Sequence, residues 1–140
     1  MPMWQDYQGD NGLKNLLTID SAYNGNFTPY TYYGESLPAM KAGEQYTFCI
    51  SNISTNGTKT QIAAVIDDRN TGETITNRCP IYLNKGTQWG TFTIIEDCAT
   101  PRILIENGEG PNASLTANIT GFSLVKGTRP MMVWKGNDDI

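Results

Sequence analysis

Apolar and polar residues alternate with a period of two along most of this 140-residue chain, the signature of half-buried strands. Between Gln45 and Ile53, Tyr46, Phe48 and Ile50 fall on one face, and Gln45, Thr47, Cys49 and Ser51 on the other. An Asn56-Gly57 pair then predicts a hairpin turn into a second strand from Lys59 to Asp68. Thr71-Gly72 marks another turn, and short strands are expected at Glu73 to Thr76 and Ile81 to Leu83. From Gln88 to Glu96, Trp89, Thr91, Thr93 and Ile95 alternate with Phe92 and Ile94. Arg102 to Glu106 holds an Ile-Leu-Ile run, and Ser114 to Val125 predicts the longest strand. Its inward set is Leu115, Ala117 and Ile119, then changes phase to Phe122 and Leu124, which predicts a β-bulge at Gly121. No useful stretch carries a 3.6-residue apolar stripe. Seven or eight short strands at this spacing predict an all-β sandwich. The expected core is Tyr46, Phe48, Ile50, Phe92, Ile94, Leu115, Ile119, Phe122 and Leu124.

The pattern fails at the start of the chain. Residues 1–14 are polar and aperiodic apart from Trp4, Tyr7 and Leu13, which divides the chain into an extended arm (1–14) and a β-sandwich domain (15–140). A frayed terminus is the plain alternative, but a solvated tail has no need of large apolar groups. Further on, Phe27, Tyr30, Tyr32 and Tyr33 form an aromatic cluster interrupted by Pro29.

Composition narrows the classes of function. Only 17% of residues are charged, and Gly, Asn, Thr and Ser fill the gap, as suits short strands joined by many turns. A net charge of −4 with singly scattered Lys and Arg argues against nucleic acid as partner. Apolar runs such as Ile62 to Ile66 are far too short to span a bilayer, which takes about 20 residues. Met1 to Gln8 has neither a basic region nor an apolar core, so no secretory signal is expected. On that basis Cys49, Cys79 and Cys98 are expected to be free thiols, with Cys79 and Cys98 the pair to consider if a bridge exists. Asn-Xaa-Ser/Thr triplets at Asn26, Asn52, Asn56, Asn112 and Asn118 then reflect composition and not glycosylation.

Catalytic arrangements are hard to build from these residues. Without histidine the chain cannot form a Ser-His-Asp or Cys-His site, and neither a P-loop nor a dinucleotide fingerprint occurs. The acid pairs are Asp67-Asp68, Glu96-Asp97, and Glu106 with Glu109; adjacent acids on a strand point to opposite faces, so a paired-carboxylate site is not expected. No metal site is assigned and no cofactor is expected, although Asp67, Asp68, Asn70 and Glu73 could offer hard oxygen ligands to calcium. Tyr30, Tyr32, Tyr33, Tyr82 and Trp89 are possible platforms for sugar rings, with Tyr32, Tyr82 and Trp89 the chosen glycan-binding candidates. Alternating aromatics also serve as core or subunit-contact residues.

Three segments carry a resemblance: Asn15-Leu16-Leu17; Leu37-Pro-Ala-Met-Lys-Ala-Gly43-Glu-Gln-Tyr46-Thr47; and Phe122-Ser-Leu-Val-Lys126-Gly127 followed by Trp134 and Asp139. Together they resemble the carbohydrate-binding-module-like, galactose-binding-like jelly roll of bacteriophage tail, baseplate and fibre proteins. Val125 stands where that module usually has Glu, and Met131-Met132-Val133 where it has Ala-Thr. The resemblance implies a jelly roll and a non-enzymatic virion subunit of a tail, baseplate, fibre or head fibre. Such a subunit would be made in the host cytoplasm and would assemble with copies of itself, as trimers in many fibres, and with other virion proteins. It also implies two side possibilities, a structural calcium and an adhesin that contacts host-surface glycans. Trp4, Tyr7, Leu13 and Trp134 are the expected subunit contacts.

Overall fold

The computed structural model describes residues 14–18, 22–27, 32–55, 62–78, 80–84, 88–107 and 115–131. The described residues contain eight strands and no helix: β1 (Ala22–Phe27), β2 (Tyr32–Ser36), β3 (Gln45–Thr55), β4 (Ile62–Asp68), β5 (Ile81–Leu83), β6 (Trp89–Thr93), β7 (Pro101–Asn107) and β8 (Leu115–Lys126). They form two antiparallel sheets. The first has the order β1-β8-β3-β6 and the second β2-β7-β4-β5. Strand β1 pairs with β8, β2 with β7, β3 with β6 and β4 with β5, so the chain is one long antiparallel ribbon folded over on itself. The β3–β8 and β4–β7 pairings then roll that ribbon into two sheets.

The inner faces meet in a single core. Phe48, Ile50, Phe92, Phe122 and Leu124 come from the first sheet, and Ile62, Ala64, Ile66, Ile81, Leu83, Ile103 and Ile105 from the second. Phe48 and Phe122 sit with ring centroids 6.2 Å apart in a tilted pair. Of the core expected from the sequence, Tyr46, Phe48, Ile50, Phe92, Ile94, Phe122 and Leu124 are buried; the side chains of Leu115 and Ile119 lie outside the described residues. Gly90 lets the two sheets approach, because a Cβ there would lie 2.6 Å from Cγ2 of Ile81.

Three expectations need correction. Strands β3 and β4 do not form a hairpin but lie in opposite sheets. Their apolar faces, Phe48-Ile50 and Ile62-Ala64-Ile66, are buried in one core from opposite sheets, which a hairpin within one sheet would not allow; Asn56-Gly57 lies outside the described residues. Glu73 to Thr76 is not a strand but makes isolated bridges, Thr74 to Asp67 and Thr76 to Ile94. At Gly121 there is no extra residue against β3, since Ile50 faces Phe122 and Asn52 faces Thr120 in one unbroken register. A change of phase is seen on β3, while the side chains of β8 from Leu115 to Thr120 lie outside the described residues. Gly121 adopts φ 73°, where a side chain is strained, and β3 buries Ile53 after Ile50. Strands β1 and β2 go unmarked in the alternation: Asn-Gly-Asn in β1 and Gly34 in β2 have low strand propensity, and pairing to β8 and β7 supplies the order.

Candidate functional site

In a sandwich the inner faces are consumed by the core, so a ligand or partner must use the outer faces, the edges or the ends. Where β3 and the end of β8 are described, the outer face of the first sheet is closed by the chain itself. Thr47, Cys49, Ser123 and Val125 point away from the core, yet all are fully buried. Part of the cover is Gly127 to Met131: Thr47 Oγ1 donates to the Gly127 carbonyl at 2.8 Å, and Ser123 Oγ to the Met131 carbonyl. Burial pushes the Cys49 thiol up to about 11, which makes it a poor nucleophile. Neither Cys49 nor Cys98 is in a disulfide, so Cys98 is not bridged to Cys79.

The outer face of the second sheet is more open, and its residues fall into cross-strand rows. One row runs Tyr32, Glu106, Ala63, Tyr82 across β2, β7, β4 and β5. The next holds Gly34, Leu104 and Val65, and the third Ser36, Arg102 and Asp67. Tyr82 is 48% exposed beside Ala63, which is buried although it faces outward, so Ala63 forms the floor of a trough. Half-buried Glu106 stands on the other side of Ala63, and desolvation, with the Asp67 charge as a second cause, holds its carboxyl above the usual carboxylate range. Asp67 is clamped by Arg102 through Nε to Oδ1 at 3.1 Å and Nη2 to Oδ2 at 2.8 Å, a bidentate pair.

By backbone register Tyr32 and Tyr82 share one row, three strand spacings or about 14 Å apart, and the side chain of Tyr32 lies outside the described residues. Trp89 does not join them. It is 47% exposed on β6, opposite Cys49, on the outer side of the other sheet. Trp4, Tyr7, Leu13 and Trp134, the expected subunit contacts, lie outside the described residues.

The acid pairs are dispersed. Asp67 faces outward to Arg102, while Asp68 Oδ1 accepts from the Thr100 hydroxyl at 2.7 Å and the Asn70 N–H at 2.9 Å; these two bonds, Thr100 first, lower the Asp68 carboxyl. Asp97 accepts from the Ala42 N–H, and Glu96 and Asp97 are both exposed. Among the described residues no three acidic or thiol side chains converge on a point that could hold a metal. Asp67 and Glu106 share a face, with Glu106 four residues along β7 from the partner of Asp67, a backbone separation of about 14 Å. The Asp67–Arg102 clamp was legible only in part: single charges inside Ile-Ala-Ala-Val-Ile-Asp and Pro-Arg-Ile-Leu-Ile are a signal, but their pairing depends on register.

One end of the sandwich gathers the three segments singled out in the sequence. The Asn15 side chain acts as an extra peptide group, donating to the Phe122 carbonyl at 2.9 Å and accepting from the Leu124 N–H at 3.0 Å. Leu16 N–H adds a bond to the Leu124 carbonyl. Lys126 Nζ lies 2.6 Å from Glu44, and Gly127 N–H donates to the Gln45 carbonyl. Beside this junction is an open hollow of about 430 Å³, walled by Met40, Lys41, Glu44, Asp97 and Cys98.

No known family model matches this chain, and no curated protein is significantly similar to it.

Proposed function

We propose that this chain is a non-enzymatic structural subunit of a bacteriophage particle, a jelly roll of a tail, baseplate, fibre or head fibre that assembles with copies of itself. One observation carries the proposal: the three segments that resemble the phage module meet in space. Asn15 is bonded to β8 at Phe122 and Leu124, Glu44 to Lys126, and Thr47 to Gly127. Residues that would be arbitrary as separate matches thus act as one unit that fastens β8 to the Asn15 segment and to the start of β3. The ribbon pairing of β1 to β8, β2 to β7, β3 to β6 and β4 to β5 supports a jelly roll, which is built from eight strands in two sheets. Mass spectrometry of purified particles of the encoding phage should find the chain in stoichiometric amount. Its absence from them would overturn the proposal.

A second function, glycan binding by an adhesin, is favoured by the Tyr32-Glu106-Ala63-Tyr82 row. An exposed phenol ring offers a stacking face, and a half-buried carboxyl two strands away, across Ala63, offers a partner for hydroxyls. Affinity electrophoresis or a glycan array should then show retardation that Tyr82→Ala abolishes and Trp89→Ala leaves intact, with melting unchanged in both. Equal loss in the two variants, or no binding at all, excludes this row as the sugar site.

A further inference from the structure

Among the described residues the exposed large apolar side chains are Tyr82, Trp89 and Ile95. All three lie on or just after β5 and β6, the strands that end the two sheets on the same flank. Strand β6 has β3 as its neighbour in the sheet. The bonds that frame this ladder run from Ile50 N–H to the Gln88 carbonyl at 2.9 Å and from Ile94 N–H to the Glu44 carbonyl at 2.8 Å. In an antiparallel ladder the residues between such pairs turn their N–H and C=O to the opposite side, so Trp89, Thr91 and Thr93 present theirs at the edge. Asn77 occupies Thr93, donating its N–H to the carbonyl at 2.9 Å and accepting the Thr93 N–H on Oδ1 at 3.1 Å. No described residue does the same for Trp89 or Thr91. Exposed edges usually carry Lys, Pro or a bulge that blocks pairing. Gln88 to Thr93 has no charged residue and no Pro.

We infer that the β6 edge is a self-association surface that pairs antiparallel with β6 of a second copy, about a two-fold axis at Gly90. The free groups select both the occupant and the register. Each copy offers an N–H and a C=O at Trp89 and again at Thr91, and placing Trp89 of one copy opposite Thr91 of the other satisfies every one of them. A slip that sets Thr91 opposite its own counterpart puts Trp89 against Thr93, which Asn77 already occupies. Trp89 and Thr91 lie on the same outer face, so the indole of one copy covers Thr91 of the other across the junction. The two first sheets become one continuous sheet with an isologous contact. This deepens the self-assembly part of the proposed function and makes Trp89 a subunit contact in place of a sugar platform.

Sedimentation of the purified full-length chain across a concentration series, with amide hydrogen exchange, tests the inference without any phage particle. A species of twice the 15.4 kDa chain mass should form and dissociate on dilution, and protection of the Trp89 and Thr91 amides should rise with it. Thr91→Pro removes an outward N–H while keeping the backbone bonds to β3, at the cost of the hydroxyl bond between Thr91 and Thr47, and Trp89→Lys places a charge at the junction. Each should weaken the dimer by at least about tenfold. A 15.4 kDa species at every concentration would overturn the inference, as would a dimer in which the two amides exchange as fast as at high dilution. Should Thr91→Pro fail to fold, Trp89→Lys and the exchange data decide alone. Because purified protein is used, failure here is separable from absence of the chain from virions.

Discussion

Glu44 gathers three donors: the Lys126 ammonium, the Lys41 N–H and the Tyr46 hydroxyl. Led by the bond from Lys126, they bring its carboxyl from 4.5 down to about 2. A lowered carboxyl stabilises the fold above its unfolded value, and that contribution is lost as pH falls from about 4.5 through about 2. Glu44→Gln should therefore flatten the acid limb of a urea-midpoint versus pH curve in that window. Burial first, and then Glu44, raises Tyr46 to about 12, so its contribution persists below pH 10.0 and is lost as pH climbs through about 12. Glu106 has the opposite sense for an acid: its carboxyl is raised by burial, so the fold prefers the neutral form. Glu106→Gln should stabilise the protein at pH 7 and lose that advantage below the ordinary carboxylate range; an unchanged urea midpoint at pH 7 would contradict this.

At the scale of the element, β8 holds the most partners, with β1 and Asn15 on one side and β3 on the other. Asn15→Ala removes the mimic peptide group and leaves the Phe122 carbonyl and Leu124 N–H without these bonds, at a cost of about 1 to 3 kcal/mol. Hydrogen exchange should show the loss as reduced protection at the Leu124 amide. Between the sheets, Gly90→Ala drives a methyl group into Ile81, which is buried and cannot swing aside. Overpacking of this kind should cost about 1 to 3 kcal/mol in chemical denaturation. The motif at Asn15 was visible in the sequence, but its role was not, because its hydrogen bonds reach across |i−j| of 107 and 109 residues.

For the whole molecule, the core decides whether the sandwich stands at all. Phe48→Ala or Phe122→Ala should cost about 3 to 5 kcal/mol, a large part of the stability of a domain this size. Variants that melt within about 2 °C of the parent would contradict the face assignment. Alkylation without reductant should add three labels to the unfolded chain, while the buried Cys49 should remain unlabelled in the folded one.

By itself the sequence determined the fold class, the strands with strong alternation and most of the buried faces. Those follow from a local rule, period-two alternation, which Trp89 to Ile94 obey residue by residue; in Gln45 to Ser51 it sets which side faces the core, although Thr47 and Cys49 on the other side are buried as well. It also marked the segments that meet around β8. Tertiary structure decided what depends on distant partners. Whether β3 turned back on itself or arched to the opposite sheet was settled by where two apolar faces could be buried together, and the Asn-Gly turn signal carries no such information. The pairing of Asp67 with Arg102 depends on register between strands far apart in the chain. The separation of Trp89 from Tyr82 depends on sheet assignment, since an alternating strand exposes its aromatic residue whichever sheet it joins.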